Sequence, residues 1–283
     1  MLWGFFKKIV IADNCAPLVN QIFENHQHES SSTLLLGGFY FTMQIYGDFS
    51  GYSDIAIGCA KLFGIDLMNN FDRPYLSKNI AEFWRRWHIS LMTWFRDYIY
   101  FPLGGSRVPK IKVIRNTFII FLISGLWHGA NWTFIVWGLY HAVLSIPRIL
   151  RGKGTKVKDV NQTLQVLKVI RTFFFVLIGW IIFRADSITI AKNYIIRMFS
   201  FITVENQYLV TITDYKVLLF TFMMLLLDWL FRKEPFTLSI SNSSDKKKVL
   251  YYYSKCRWLV YFSFVVLIYF FAGSQGQFIY FQF

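Results

Sequence analysis

Gly125-Leu126-Trp127-His128-Gly129-Ala130-Asn131-Trp132 decides how this chain is read. It sets one imidazole between two uncharged stretches, Thr117 to Leu126 and Trp132 to Tyr140. Such runs belong in hydrocarbon, where an ionisable group is costly and marks a functional site by default. Imidazole is also the side chain suited to moving a proton near neutral pH. The plain alternative is a turn between packed helices, with Gly125 and Gly129 admitting other backbone and the histidine bonded to a carbonyl. A full span takes about 20 residues, and the runs Asn116 to Trp127 and Trp132 to Ile146 each fall short. They read as a hairpin of short, partly re-entrant helices or as one long bent element. Both readings put His128 near the break, at depth.

The whole chain has the same character. Its 283 residues are 55% hydrophobic and 20% aromatic, with a mean hydropathy of +0.39. Only 16% are charged, against about 25% in soluble domains. We therefore expect an all-α, polytopic membrane protein whose partner is the lipid bilayer, with 1–283 as a single domain. The net charge of +14 does not signal nucleic acid, because the basic residues sit between apolar runs. The positive-inside rule places residues 72–115, 148–168 and 232–257 in the cytoplasm, and 24–33, 184–214 and the tail after Ala272 outside. Cys15, Cys59 and Cys256 form neither a disulfide framework nor metal-ligand spacing, so no metal and no resident cofactor is expected. The apolar opening Met1 to Phe6, with Lys7 and Lys8 after it, is not expected to act as a cleavable signal peptide, and no repeat is visible.

Other residues carry polar chemistry. Asp48 and Asp54, with Gly47 and Gly51, interrupt the apolar run 34–67, which suggests a broken or cavity-lining helix. They suit a proton relay or ion site, or else they pair with arginines such as Arg73, Arg85 or Arg86. Asn79 and Glu82 have capping-box spacing, so one interfacial helix is expected over Asn79 to Phe101. Arg86, Ser90, Thr93, Arg96 and Asp97 form its polar stripe, and Trp84, Trp87 and His88 lie on its apolar side. His88 and His141 read as core histidines on spacing alone, and His26 and His28 as a surface pair in a polar loop. Asn131 is placed to orient His128 or to meet a substrate carbonyl.

At Asn70-Phe71-Asp72-Arg73-Pro74-Tyr75, Phe83-Trp84-Arg85-Arg86-Trp87-His88-Ile89-Ser90-Leu91, Trp94 to Arg107 and Gly125 to Ala130, the chain resembles the membrane-bound O-acyltransferase (MBOAT) family. Tyr46 to Asp54 and the closing Phe278 to Phe283 also match, and together they point to its bacterial alginate O-acetylation branch. The resemblance implies an MBOAT-type bundle with short re-entrant and interfacial helices around a tunnel. It implies a cytoplasmic (inner) membrane location and transfer of acetyl to a hydroxyl of an exported polysaccharide. The donor is a cytoplasmic acetyl thioester such as acetyl-CoA, and the partner an extracytoplasmic acetyltransferase. The family's essential histidine falls on His128 and its second histidine on His88. Trp127, Asn131 and Asp48 are further candidate substrate contacts, and the charge of Arg85, Arg86 and Arg107 suits the phosphates of coenzyme A. Relatives carry further spans before the point that matches Met1, so an N-terminal part is expected to be missing. The competing readings are D-alanyl transfer to teichoic acid, a transporter lined by Asp48, Asp54 and His128, and a scaffold of an export complex.

Overall fold

The computed structural model describes residues 1–152, 162–203, 212–232 and 247–272, and among these every element is helical. The basic stretches 148–168 and 232–257 lie partly outside the described residues, and the tail 273–283 lies wholly outside them. The domain expected over 1–283 packs as two compact units. One comprises Met1–Asn20, Met43–Met68 and Leu209–Gln282, the other Gln21–Thr42 and Asn69–Tyr208.

In the second unit the hairpin reading holds, but the helices are not short. Lys110–His128 and Trp132–Arg151 run 19 and 20 residues, and with Thr163–Arg184 they are the three helices long and apolar enough to cross a membrane among the described residues. Each hairpin helix is longer than its apolar core because Lys110, Lys112 and Arg115 at one end and Arg148 and Arg151 at the other extend it with charge suited to an interface. Leu122, Leu139, Val143, Leu167 and Ile170 face outward and are exposed, as hydrocarbon requires. The two helices cross closely because each offers a glycine at the contact. A Cβ on Gly138 would clash with the Phe121 carbonyl oxygen, and one on Gly125 would lie 2.5 Å from that of Phe134. Gly129, at φ +153°, turns the chain between them.

The interfacial helix expected over Asn79–Phe101 is broken. It forms Ile80–Arg86, an interruption at Trp87 and His88, Ile89–Phe95, and a π-helical turn Arg96–Tyr100. Asn79 does cap the first piece, accepting from the Glu82 amide. The interruption is stabilised from outside the helix. Asn70 O accepts from the Ile89 amide at 3.0 Å, and the Asp72 amide donates to Arg86 O at 3.0 Å. Residues 70–72 thus take over main-chain partners that a continuous helix would have supplied. Pattern along one segment does not reveal a competitor eighteen residues upstream.

The break expected at Gly47 to Asp54 within the run 34–67 is absent. A continuous helix runs Ser31–Leu62, and its C-terminal part belongs to the first unit. Its glycines serve contact: a Cβ on Gly47 would lie 2.8 Å from Lys7 O, and one on Gly51 would lie 2.8 Å from Gly4 O. The N-terminal segment that packs there includes a π-helical stretch, Phe6–Ala12.

Substituting Gly138 or Gly125 with alanine is expected to destabilise the hairpin by about 1–3 kcal/mol, the usual cost of overpacking. A lower thermal midpoint of the detergent-solubilised variants checks this, and an unchanged midpoint contradicts it.

Candidate active site

His128 is the last residue of the Lys110–His128 helix, and Asn131 caps the next helix. The imidazole is half-buried among aromatic rings drawn from three places in the chain. Its centroid lies 5.1 Å from Trp127, 5.3 Å from Trp137 and 5.0 Å from Phe183, the last two at 88° to it. Trp127 is also 6.3 Å from the ring of His88. The two histidines, 40 residues apart in sequence, therefore both neighbour one indole.

His88 owes its position to the helix break. It is in the left-handed region at φ 45°, ψ 56°, a conformation that costs a residue with a Cβ about 1–2 kcal/mol. The compensating contacts come from Asn70. Besides the main-chain bond to Ile89, Asn70 Oδ1 accepts from the Ser90 amide at 3.1 Å and from Ser90 Oγ at 2.6 Å. Ser90 Oγ in turn lies 3.3 Å from His88 Nδ1. A hydroxyl has one proton, and this one goes to Asn70. Ser90 Oγ is then the acceptor, so His88 carries its proton on Nδ1 and its lone pair on Nε2.

The other candidates are scattered. Asn131 accepts from the Thr133 amide and donates to Asp186 O at 3.1 Å, so its amide holds the hairpin turn and does not reach an imidazole in this structure. Arg86 pairs with Glu82 at 2.8 Å. Arg85 is exposed on the same short helix, and Arg107 is exposed in the turn before Lys110. Asp48 belongs to the other unit, where it pairs with Lys8 at 2.7 Å, while Asp54 pairs with Lys7 at 2.8 Å. The aspartates pair with lysines of the N-terminal segment, not with the arginines expected. The reason is proximity: the glycine contacts above bring that segment against their helix. His141 is 1% exposed and lies 4.9 Å from Trp84 and 5.3 Å from Trp137, ring to ring, which bears out its reading as a core histidine. His26 departs from expectation. It is buried, not on the surface.

The sequence pattern does not single out Asn70, Ser90 or Phe183 for the site: Asn70 and Ser90 stand only within motifs, and the helical period puts Ser90 on a polar stripe. The one local signal is the two-residue spacing of His88 and Ser90, which fits a short hydrogen bond. Nothing local in the sequence connects Phe183 to His128.

His88 lies outside the three spanning-length helices, and burial pulls its imidazole down from 6.5 to about 4. The folded protein thus refuses a proton that the unfolded chain accepts between those values. Stability is lost as pH falls from about 6.5 to about 4. His88→Asn does not titrate and tolerates the left-handed backbone. The wild-type thermal midpoint is expected to fall faster than that of His88→Asn across this window, and parallel curves would contradict the assignment.

The sequence profile of the MBOAT, membrane-bound O-acyltransferase family matches residues 1–185. The chain is similar to the probable alginate O-acetylase of Azotobacter vinelandii, 45% identical over 199 residues, which cover 70% of this chain and 39% of the relative. It is similar to the peptidoglycan O-acetyltransferase of Helicobacter pylori, 42% identical over 65% of this chain and 35% of the relative. More distantly it resembles the teichoic acid D-alanyltransferase of Bacillus subtilis, 35% identical over 64% of this chain and 48% of the relative. The chain spans about two fifths of the length of the alginate relatives it matches. With a match across residues 1–185 that includes both histidines and the Asn70 segment, this chain belongs to the membrane-bound O-acyltransferase family.

Proposed function

We propose that this chain carries the catalytic histidines of a multi-pass O-acyltransferase of the cytoplasmic membrane, which transfers acetyl to hydroxyls of an exported or cell-surface polysaccharide. The observation that carries the reading is that His88 and His128 are gathered at one indole, that of Trp127. Support comes from the relatives, since the two more similar ones above bear the names of O-acetylating proteins.

In the proposed reaction the acceptor hydroxyl attacks the carbonyl carbon of an acetyl thioester. The new C–O bond forms as the C–S bond breaks. His128 takes the hydroxyl proton as general base, worth about 10²–10⁴-fold in such reactions, and returns it to the leaving thiolate. His88 turns its Nε2 lone pair toward the acceptor hydroxyl and orients it. Acetyl-CoA is the donor, Arg85 and Arg107 meet its phosphates, and Trp127 packs against the acyl group. The acceptor hydroxyl belongs to the polysaccharide itself or to an extracytoplasmic acetyltransferase that takes the acetyl and passes it on.

The test is the O-acetyl content of exported polysaccharide in cells with this chain or its His128→Ala variant, each expressed alone and grafted in place of the matching residues of a full-length relative. Acetylation is expected to fall to background with His128→Ala at equal membrane abundance. Persistence would leave a scaffold. Incorporation of labelled D-alanine in place of acetate would move the chain to the D-alanyl reading, which the Bacillus relative favours. Arg85→Gln with Arg107→Gln is expected to weaken acetyl-CoA binding several-fold, and unchanged affinity would remove the docking role.

A further inference from the structure

One end of the three spanning-length helices is laced together by cations. Lys110 Nζ donates to Leu150 O at 2.7 Å, which ties the start of Lys110–His128 to the end of Trp132–Arg151. Two residues back along that second helix, Arg148 Nη1 donates to Asn79 Oδ1 at 3.4 Å. Beside Asn79, Lys78 Nζ donates to Gln165 Oε1 at 2.9 Å, in the first turn of Thr163–Arg184. Lys110, Arg148 and Lys78 thus follow one another around a single end of the helix group, and all three are exposed.

Every acceptor in this series is neutral: one main-chain carbonyl and two side-chain amides. The three helices contain no Asp or Glu. Glu82, four residues from Lys78, is committed: it pairs with Arg86 at 2.8 Å and accepts from the Lys78 amide at 3.0 Å. An ammonium has three protons and a guanidinium five N–H donors, so each cation keeps donors beyond the bond it makes. Lys112 and Arg151 add exposed charge at the same helix ends. Helix stability does not account for the set. Arg148 and Arg151 suit the end of their helix, but Lys110 and Lys112 open theirs, where the macrodipole disfavours positive charge. The positive-inside rule asks for cations on this side of the membrane, and not for their gathering on neutral acceptors.

An apolar surface adjoins the cations. Leu164, Leu167 and Ile170, three residues apart along one helix face, are exposed, as are Ile111 and Leu150. A ligand that meets both surfaces has an anionic head and hydrocarbon behind it. Residues 72–115 and 148–168, which carry most of these groups, are those the positive-inside rule assigns to the cytoplasmic face, where anionic phospholipids attract basic segments.

We infer that this end of the helix group binds an anionic phospholipid of the cytoplasmic leaflet, its phosphate held among Lys78, Lys110 and Arg148 and an acyl chain lying against Leu167 and Ile170. The inference does not rest on the acyl-transfer reading, and Arg85 and Arg107, given above to the acyl donor, take no part in it.

The experiment titrates the full chain, purified in neutral detergent, with phosphatidylglycerol or with phosphatidylcholine of the same acyl chains, and counts bound lipid by native mass spectrometry. Phosphatidylglycerol is expected to bind saturably and about tenfold or more tightly than phosphatidylcholine, a preference that shrinks as salt is raised. Lys78→Gln with Arg148→Gln is expected to remove most of that preference. Lys112→Gln with Arg151→Gln is expected to reduce it several-fold, and serves where the first pair lowers the thermal midpoint. Equal affinity for the two lipids, or a preference that survives both double variants, overturns the inference. Displacement of phosphatidylglycerol by equimolar glycerol 3-phosphate or coenzyme A also overturns it and gives the cations to a soluble phosphate. Binding is read without turnover, so its absence leaves the role of His128 to the acetylation test, and loss of acetylation leaves the lipid site standing.

Discussion

Three hydrogen bonds to Asn70 hold the candidate site together. Its carbonyl takes the Ile89 amide, and its side-chain oxygen takes both donors of Ser90. Without them the Trp87–His88 interruption would leave amides unsatisfied at the start of a helix, a cost of about 1–3 kcal/mol for each one buried. A continuous helix would then compete, and His88 would point wherever the helical period sent it. With them, the strained backbone at His88 persists and one imidazole tautomer is fixed. Residues in sparsely populated backbone regions persist only where their surroundings over-determine them, and this one does.

The first unit solves a related problem with charge. Lys7 is 3% exposed and Asp48 2% exposed, in a chain with little water to spare for either. Each has a partner of opposite sign, and Lys7 also donates to Ser50 Oγ at 2.8 Å. Breaking such a pair by removing one member strands the other, which costs far more than the pair contributes in net terms. Tyr46 OH bonds Asp228 at 2.8 Å in the same unit. The two lysine pairs fix the N-terminal segment on its neighbour. They account for the two aspartates without an ion path.

Much of this was legible in the sequence. Composition and the uncharged runs point to the all-α membrane class, and the two runs around His128 leave a hairpin and one bent element open, of which the structure has the hairpin. Motif resemblance pairs His88 with His128, and the structure brings both to Trp127. What stayed hidden depends on long-range partners. The helical period over Asn79–Phe101 is sound locally, and only Asn70 reveals that the helix stops in the middle. Gly47 and Gly51 read as breakers in isolation, but beside Lys7 O and Gly4 O they are contact points. His26 sits in a polar stretch, and its burial comes from Tyr194, 168 positions away.

The central claim is that Asn70 holds the helix break that presents His88. Amide hydrogen exchange at Ile89 and Ser90, resolved by residue in nanodiscs for the wild type and Asn70→Ala, tests it most directly. Both amides are expected to exchange slowly in the wild type. In Asn70→Ala the Ser90 amide should speed up tenfold or more, while Ile89, bonded to the main chain of residue 70, changes less. A Ser90 amide that exchanges equally fast in both proteins would contradict the account.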